Sequence, residues 1–273
     1  MDMTLMNALS RVVGRFADMR FPRPVQSFIN WAYVRLIGVD IAEFQPAETY
    51  PSLNALFGRR LRKPRCVDTS TDSLIAPCDG VISGYGRLQG ESLVQVKGIE
   101  YSVRDLLTVH ARHIDKVLNG AYISLYLSPR MYHGYHAPAT LHVERLIHAP
   151  GTLWPVHSFA LMRVPGLFAK NERVILEGRR LSGQRFWMVF VGATNVGSIK
   201  IDFEPSLNTN AGFRKQRVFD YGGDHTLRKG AYLGRFLMGS SIILLVESQT
   251  PVPGSLGMSR VRVGDPLPWP PSS

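Results

Sequence analysis

Between positions 5 and 19 apolar side chains return every three or four residues. Leu5, Met6, Leu9, Val12, Val13, Phe16 and Met19 fall on one side of a helix, and Asn7, Ser10, Arg11, Gly14, Arg15 and Asp18 on the other. Pro22 and Pro24 close that helix, and Val25, Phe28, Ile29, Ala32 and Leu36 predict a second amphipathic helix after them. Shorter helices are predicted over 52–61 and 103–107. Beyond residue 70 the pattern changes to short apolar runs separated by glycine-bearing turns, at 81–83, 93–97, 121–127, 174–177, 186–191, 199–203 and 241–246, which read as strands. The expected fold class is α+β: a helical region over 1–65, a β-rich domain over 66–267, and a disordered proline-rich tail over 268–273.

Composition narrows the partners. The 273 residues, 45% of them hydrophobic, suit one folded domain with a helical extension. A formal net charge of +11 calls for an anionic partner, either nucleic acid or an anionic membrane. The basic residues are scattered rather than interleaved with aromatics in a recognition element, so no nucleic acid is expected. Residues 1–35 carry Arg11, Arg15, Arg20, Arg23 and Arg35 against Asp2 and Asp18. That excess of basic charge is worth about 3 kcal/mol at an anionic leaflet, at roughly 1 kcal/mol per residue. The same helices could instead pack inward on the β-rich domain. Cys66 and Cys78 form no C-x-x-C pair, in keeping with a reducing cytoplasm. No stretch approaches the roughly 18 consecutive apolar residues that span a bilayer, and no export signal is visible.

Candidate chemistry centres on Met238-Gly239-Ser240-Ser241, set just before the apolar run at 242–246. Glycine frees the backbone and bares its carbonyl, so the Ser240 hydroxyl could attack the Gly239 carbonyl from within the chain. The resulting ester would break by β-elimination, and loss of ammonia would leave a pyruvoyl group at position 240. Alone, Gly-Ser-Ser reads as a turn or strand end. Two H-x-x-H spacings, His110/His113 and His133/His136, together with Asp79 offer a second reading as a metal-dependent hydrolase, though the H-E-x-x-H signature is missing. A third reading is a non-enzymatic basic module at a membrane surface.

Further segments accompany the Gly-Ser site in a fixed order: Pro77-Cys78-Asp79-Gly80-Val81-Ile82, Ser128-Pro129-Arg130-Met131-Tyr132-His133-Gly134-Tyr135-His136-Ala137-Pro138, Phe168-Ala169-Lys170-Asn171-Glu172-Arg173-Val174, Val191-Gly192-Ala193-Thr194-Asn195-Val196-Gly197-Ser198-Ile199 and Lys229-Gly230. With them the chain strongly resembles the bacterial, self-cleaving, pyruvoyl-dependent phosphatidylserine decarboxylase family, from Tyr50 to Leu267. Met238 and Ser241 replace the family's usual leucine and threonine but keep an apolar side chain and a hydroxyl.

The resemblance implies several roles. His136 would take the proton of Ser240, and Asp79 would orient His136, as in a Ser-His-Asp triad. Cleavage between Gly239 and Ser240 would give two chains that stay together, and a homodimer of that pair is left open. The pyruvoyl group from Ser240 would form a Schiff base with the substrate amine and accept the electrons freed with CO2. His133 would return the proton. The substrate would be phosphatidylserine in anionic membranes and the product phosphatidylethanolamine, with the protein peripheral on the cytoplasmic face of the cell membrane and held there by its N-terminal helices.

Overall fold

A computed structural model describes residues 14–70, 73–88, 90, 92–94, 100–118, 120–156, 158–193, 198–210, 215–237, 240–247 and 259–267. Its elements are α1 (Arg23–Ile37), α2 (Leu53–Phe57), β1 (Gly80–Arg87), β2 (Ser92–Val94), β3 (Glu100–Ser102), α3 (Val103–Leu107), β4 (Ala121–Leu127), β5 (Gly134–His136), β6 (Leu141–Ala149), α4 (Ser158–Arg163), α5 (Leu167–Lys170), β7 (Arg173–Arg180), β8 (Arg185–Gly192), β9 (Ser198–Ile201), β10 (Arg217–Leu227), β11 (Tyr232–Leu237), β12 (Ser240–Val246) and β13 (Arg260–Val261). The expected α+β, β-rich class is what the chain adopts.

Eight strands form one antiparallel sheet in the order β10-β6-β7-β8-β12-β4-β1-β13, and β5-β11-β9 form a second, smaller sheet. β12 lies inside the large sheet, paired along its whole length with β4 on one edge and β8 on the other, Ser240 opposite Leu127 and Gly192. All seven of its residues are buried. Side chains alternate across a strand, so its unbroken apolar run feeds two cores. Ile242, Leu244 and Val246 pack with Tyr135, Leu233 and Phe236 of the small sheet. Ile243 and Leu245 pack with Leu106 and Leu107 of α3 and Leu167 and Phe168 of α5. The result is three layers: small sheet, large sheet, short helices.

Local chemistry sets the helix ends. Pro24 falls in the first turn of α1, where its missing N–H costs nothing, and Gly38 ends the helix at φ 71° with its N–H on the Val34 carbonyl. Ser52 caps α2 by accepting from the Ala55 N–H, and Ser102 caps α3 by accepting from Asp105. The helix predicted over 52–61 is shorter than expected because Gly58 ends it after one turn. Strands β3, β5, β6, β10, β11 and β13 have no counterpart among the predicted runs. In β6, Glu144, Arg145 and His148 break the apolar pattern, yet Arg145 pairs with Asp220 at 2.8 Å and Glu144 with Arg179 and Arg185 at 2.6 and 2.5 Å. β10 is a half-exposed edge strand whose register shifts around Gly222 and Gly223.

In the N-terminal region the polar side of the amphipathic helix, not the apolar one, meets the protein. Residues 14–18 are helical, while 1–13, which hold the rest of the first predicted helix, lie outside the described residues, as does the tail at 268–273. On α1 the buried residues are the polar Gln26 and Asn30. Gln26 donates to Asn30 at 2.8 Å, and the Asn30 amide donates to the carbonyls of Ala47 and Tyr50 at 2.9 Å each. The apolar side faces out, with Phe28 65%, Trp31 55% and Leu36 84% exposed. A buried amide without its partners costs about 1–3 kcal/mol. We therefore expect Asn30→Ala to expose the two carbonyls and loosen α1, seen as faster limited proteolysis at Arg35, while the calorimetric transition of the β-rich domain shifts little; unchanged proteolysis would show that Asn30 does not anchor the helix.

Candidate active site

The site grows from the N-terminal end of β12 and the turn that follows β4. Ser240 opens β12, is fully buried, and its hydroxyl finds no hydrogen-bond partner among the described residues. Gly239 and Met238, on the other side of the predicted cut, and residues 194–197 lie outside the described residues. The backbone opposite Ser240 is held firmly. Asn171 donates to the Gly192 carbonyl at 2.8 Å and to the Trp154 carbonyl at 2.8 Å, and accepts from the Trp154 N–H at 2.9 Å. Glu172 accepts from the Asn210 N–H and meets His148 at 2.9 Å. Arg173, buried, donates to the carbonyls of Leu106, Asp105, Ala169 and Asn171. The segment Asn171-Glu172-Arg173 is thus a scaffold that fixes β8 beside Ser240.

The two histidines sit on β5 and the turn before it, and they differ in what meets Nε2. His133 is fully buried, its ring 4.1 Å from that of Phe57. Its Nδ1 lies 2.9 Å from the Met131 carbonyl, which can only accept, so the proton sits on Nδ1 and the lone pair on Nε2. That Nε2 is buried and without a partner among the described residues. Burial, against the Met131 bond and helped by the charge of Arg59, pushes His133 down to about 3, so it is neutral at ordinary pH. His136 donates from Nδ1 to the Gly230 carbonyl at 2.9 Å, and its Nε2 is engaged by the Tyr132 hydroxyl at 3.1 Å. Burial likewise lowers its pKa. Gly134 leaves room for this pairing, because a Cβ there would lie 2.1 Å from the Tyr132 hydroxyl oxygen.

Asp79 does not touch His136. Its carboxylate is gripped by Arg65 at 2.5 and 3.1 Å and accepts from the Val263 N–H at 2.9 Å. Arg65 also donates to Glu43 at 3.0 and 2.8 Å, and Arg262 donates to Glu43. Asp79 therefore joins the N-terminal region, the β1 turn and the segment after β13. The Arg65 guanidinium lies 5.9 Å from the Tyr132 ring centroid, so the expected triad is spaced out as Asp79, Arg65, Tyr132, His136. The second H-x-x-H pair is elsewhere: His110 and His113 flank the turn after α3. Among the described residues no three His, Cys, Asp or Glu side chains gather to hold a metal ion. Arg59, Arg65 and Tyr132 were not singled out from the sequence. The signal for the arginines was the run 59–65, in which five of seven residues are cationic; a solvated face is the ordinary meaning of such a run, yet Arg59 is buried and the Arg65 side chain is 12% exposed.

Histidines held neutral by burial make stability depend on pH. The unfolded chain binds the His133 proton below about 6.5, whereas the folded chain refuses it until about 3. For His133 stability is therefore full above pH 6.5 and falls by about 1.4 kcal/mol for each unit below it until about pH 3, and His136 acts in the same direction. Denaturant unfolding from pH 8 to 4 should show this fall, and His133→Gln should make it shallower; an equal slope in the variant would contradict the neutral, buried state.

The family profile described as phosphatidylserine decarboxylase matches residues 53–267. A phosphatidylserine decarboxylase proenzyme of Helicobacter pylori is 40% identical over 245 residues, covering 89% of this chain and 90% of the relative. Proenzymes of the same name from Campylobacter jejuni and Anaeromyxobacter are each 37% identical, over 87% and 96% of this chain and 89% and 93% of theirs. Profile and relatives cover both the site just described and the strands that hold it, and on them this chain belongs to the phosphatidylserine decarboxylase family, a family of carboxy-lyases.

Proposed function

We propose that this chain is a proenzyme that cuts itself between Gly239 and Ser240, turns Ser240 into a pyruvoyl group, and then decarboxylates phosphatidylserine to phosphatidylethanolamine. The observation that carries the reading is the Ser240 hydroxyl: buried, unpartnered among the described residues, and at the first position of a strand that cannot shift. A buried hydroxyl left without a partner is costly, and such groups gather where chemistry is done. The residues fit a carbonyl group at position 240, which would sit in the same enclosed place. When formed, that carbonyl supplies an electrophile for the substrate amine as a Schiff base and a sink for the electron pair released with CO2.

The side chains then have distinct tasks. For His136 to take the Ser240 proton, Nε2 must first give up the Tyr132 hydroxyl, while the Gly230 carbonyl keeps the ring in the tautomer a base needs. Asp79 reaches the imidazole only by exchanging part of its hold on Arg65. His133 is the group proposed to return a proton to the substrate α-carbon; its Nε2 carries a lone pair on a neutral ring, so it must first take up a proton, which the substrate ammonium can give as it becomes the nucleophilic amine, while the Met131 carbonyl fixes the ring's orientation. Burial also keeps water from the reacting carbon.

The lipid surface is the proposed location. Among the described residues, most large exposed apolar side chains lie between 16 and 37, including Phe16, Met19, Phe28, Trp31 and Leu36, with Arg15, Arg20, Arg23 and Arg35 beside them. No described helix is long and apolar enough to cross a membrane. An apolar face rimmed by arginine and anchored by a buried polar face suits peripheral binding to an anionic leaflet. The region 1–65 is then the membrane-associating part, and the cleaved small chain remains with the large one on the cytoplasmic face.

Two measurements test this. Purified protein given phosphatidylserine vesicles should release CO2 and form phosphatidylethanolamine, borohydride added with substrate should abolish the activity, and Ser240→Ala should have none; activity that survives borohydride, or persists in Ser240→Ala, would refute the pyruvoyl reading. In sedimentation, binding to vesicles should rise with anionic lipid and weaken at high salt without vanishing, because screening removes only the electrostatic part. Replacing Phe28 and Trp31 together by Asp should release the protein from vesicles, and unchanged binding would place the lipid contact elsewhere.

A further inference from the structure

The Ser240 hydroxyl has no partner among the described residues, while the nitrogen proposed to take its proton is occupied by a different residue. His136 donates from Nδ1 to the Gly230 carbonyl at 2.9 Å, so the lone pair of the ring is on Nε2. The Tyr132 hydroxyl, 3.1 Å away, donates into that lone pair. It is a hydroxyl and not a phenolate, because burial pushes the Tyr132 phenol above its ordinary value. Both ring nitrogens of His136 are therefore engaged, and neither is engaged by Ser240.

The surroundings of Tyr132 hold it in that place. Its side chain is buried in a small apolar cluster with Phe44 and Val263, bordered by Ile41 and Leu61. The Phe44 ring centroid lies 5.5 Å from its own, and the Arg65 guanidinium sits 5.9 Å over the ring. At the hydroxyl end only a glycine leaves room, since a Cβ on Gly134 would come within 2.1 Å of the oxygen. Turning a phenol about χ2 leaves its oxygen where it was, so the oxygen leaves Nε2 only if the whole ring moves or the imidazole does. The imidazole is tied in turn by the Gly230 carbonyl, and its backbone N–H by the Pro77 carbonyl at 2.8 Å.

We propose that Tyr132 is a positioning residue that restrains self-cleavage by keeping His136 Nε2 occupied. The inference rests on the self-cleaving reading above and adds a brake to it. Ser240 passes its proton to His136 only in the fraction of molecules in which the Tyr132 bond is open, and the observed rate is reduced by that fraction. The bond also weakens the base, because a donor on Nε2 favours the neutral ring over the charged one. The opposite role is a relay, in which Tyr132 gives its proton to Nε2 as it takes one from Ser240. A relay needs a hydrogen bond from Ser240 Oγ to the phenol oxygen, and Oγ makes none.

The test follows self-cleavage of newly synthesised full-length chain on denaturing gels, in wild type, in Tyr132→Phe and in protein carrying 3-fluorotyrosine in place of Tyr132. Loss of one neutral hydrogen bond should speed cleavage about 3- to 10-fold in Tyr132→Phe. Fluorotyrosine keeps the ring in its seat and donates more strongly, so it should cut more slowly than wild type. The acid limb of the pH–rate profile should move to higher pH in Tyr132→Phe, because His136 without that donor is the stronger base. The other groups that face the imidazole, the Tyr232 ring of β11 at 5.4 Å and the charges of Arg65 and Asp79, are the same in all three proteins. A purely structural role would slow cleavage and leave the limb in place. Cleavage of Tyr132→Phe at the wild-type rate or below it, or fluorotyrosine protein cutting as fast as wild type or faster, overturns the proposal; the fluorotyrosine comparison decides alone if Tyr132→Phe does not fold. Wild type that never cuts defeats the self-cleaving reading as well, whereas wild type that cuts, with no acceleration in Tyr132→Phe, defeats this inference alone.

Discussion

The position of β12 is the constraint on which the rest of the molecule depends. A strand hydrogen-bonded on both edges and buried on both faces cannot slide by one residue without sending every side chain to the wrong core. Each fully buried Ile, Leu or Val of this strand adds roughly 1.5–3 kcal/mol to that resistance. Ser240 is its first residue, so the hydroxyl proposed to attack is placed by a strand paired on both edges and buried on both faces. The same lock would hold a chain cut there together: the strand beyond the proposed cut is paired to β4 and β8, and Val263 and Arg262 are tied to Asp79 and Glu43.

Around that fixed point buried polar groups divide by duty. Asn171, Glu172 and Arg173 are saturated with partners and serve as scaffold. Ser240 Oγ and His133 Nε2 are buried with nothing to bind among the described residues. Folding that leaves such groups unpaired is costly, and substrate binding and reaction are what would use them. His136 and Asp79 stand between the two groups. Each is satisfied, by Tyr132 and Gly230 in one case and by Arg65 and Val263 in the other, so their proposed part in cleavage requires partner exchange rather than a ready-made triad.

The sequence made some of this legible and hid the rest for physical reasons. Runs such as 121–127 and 241–246 announced themselves because strands buried on both faces are apolar without interruption. β6 and β10 escaped because their charges are paired across strands, which a one-dimensional pattern does not display. The motif residues named Ser240, His133, His136 and Asp79, yet motifs carry no distances, so the grip of Arg65 on Asp79 was invisible. The amphipathic face of α1 was read correctly, but which side met the protein depended on Asn30 finding two carbonyls at 47 and 50, a contact made only in the fold. Arg59 was hidden in a run of cations whose ordinary place is the surface.

The proposed activity depends on a cut at one peptide bond, and an intact-mass spectrum of freshly purified protein under denaturing conditions tests that cut most directly. Two species are predicted, residues 1–239 and 240–273, the smaller one lighter by one ammonia than a peptide beginning with serine and resistant to Edman degradation. A single full-length species in a preparation that decarboxylates phosphatidylserine would contradict it.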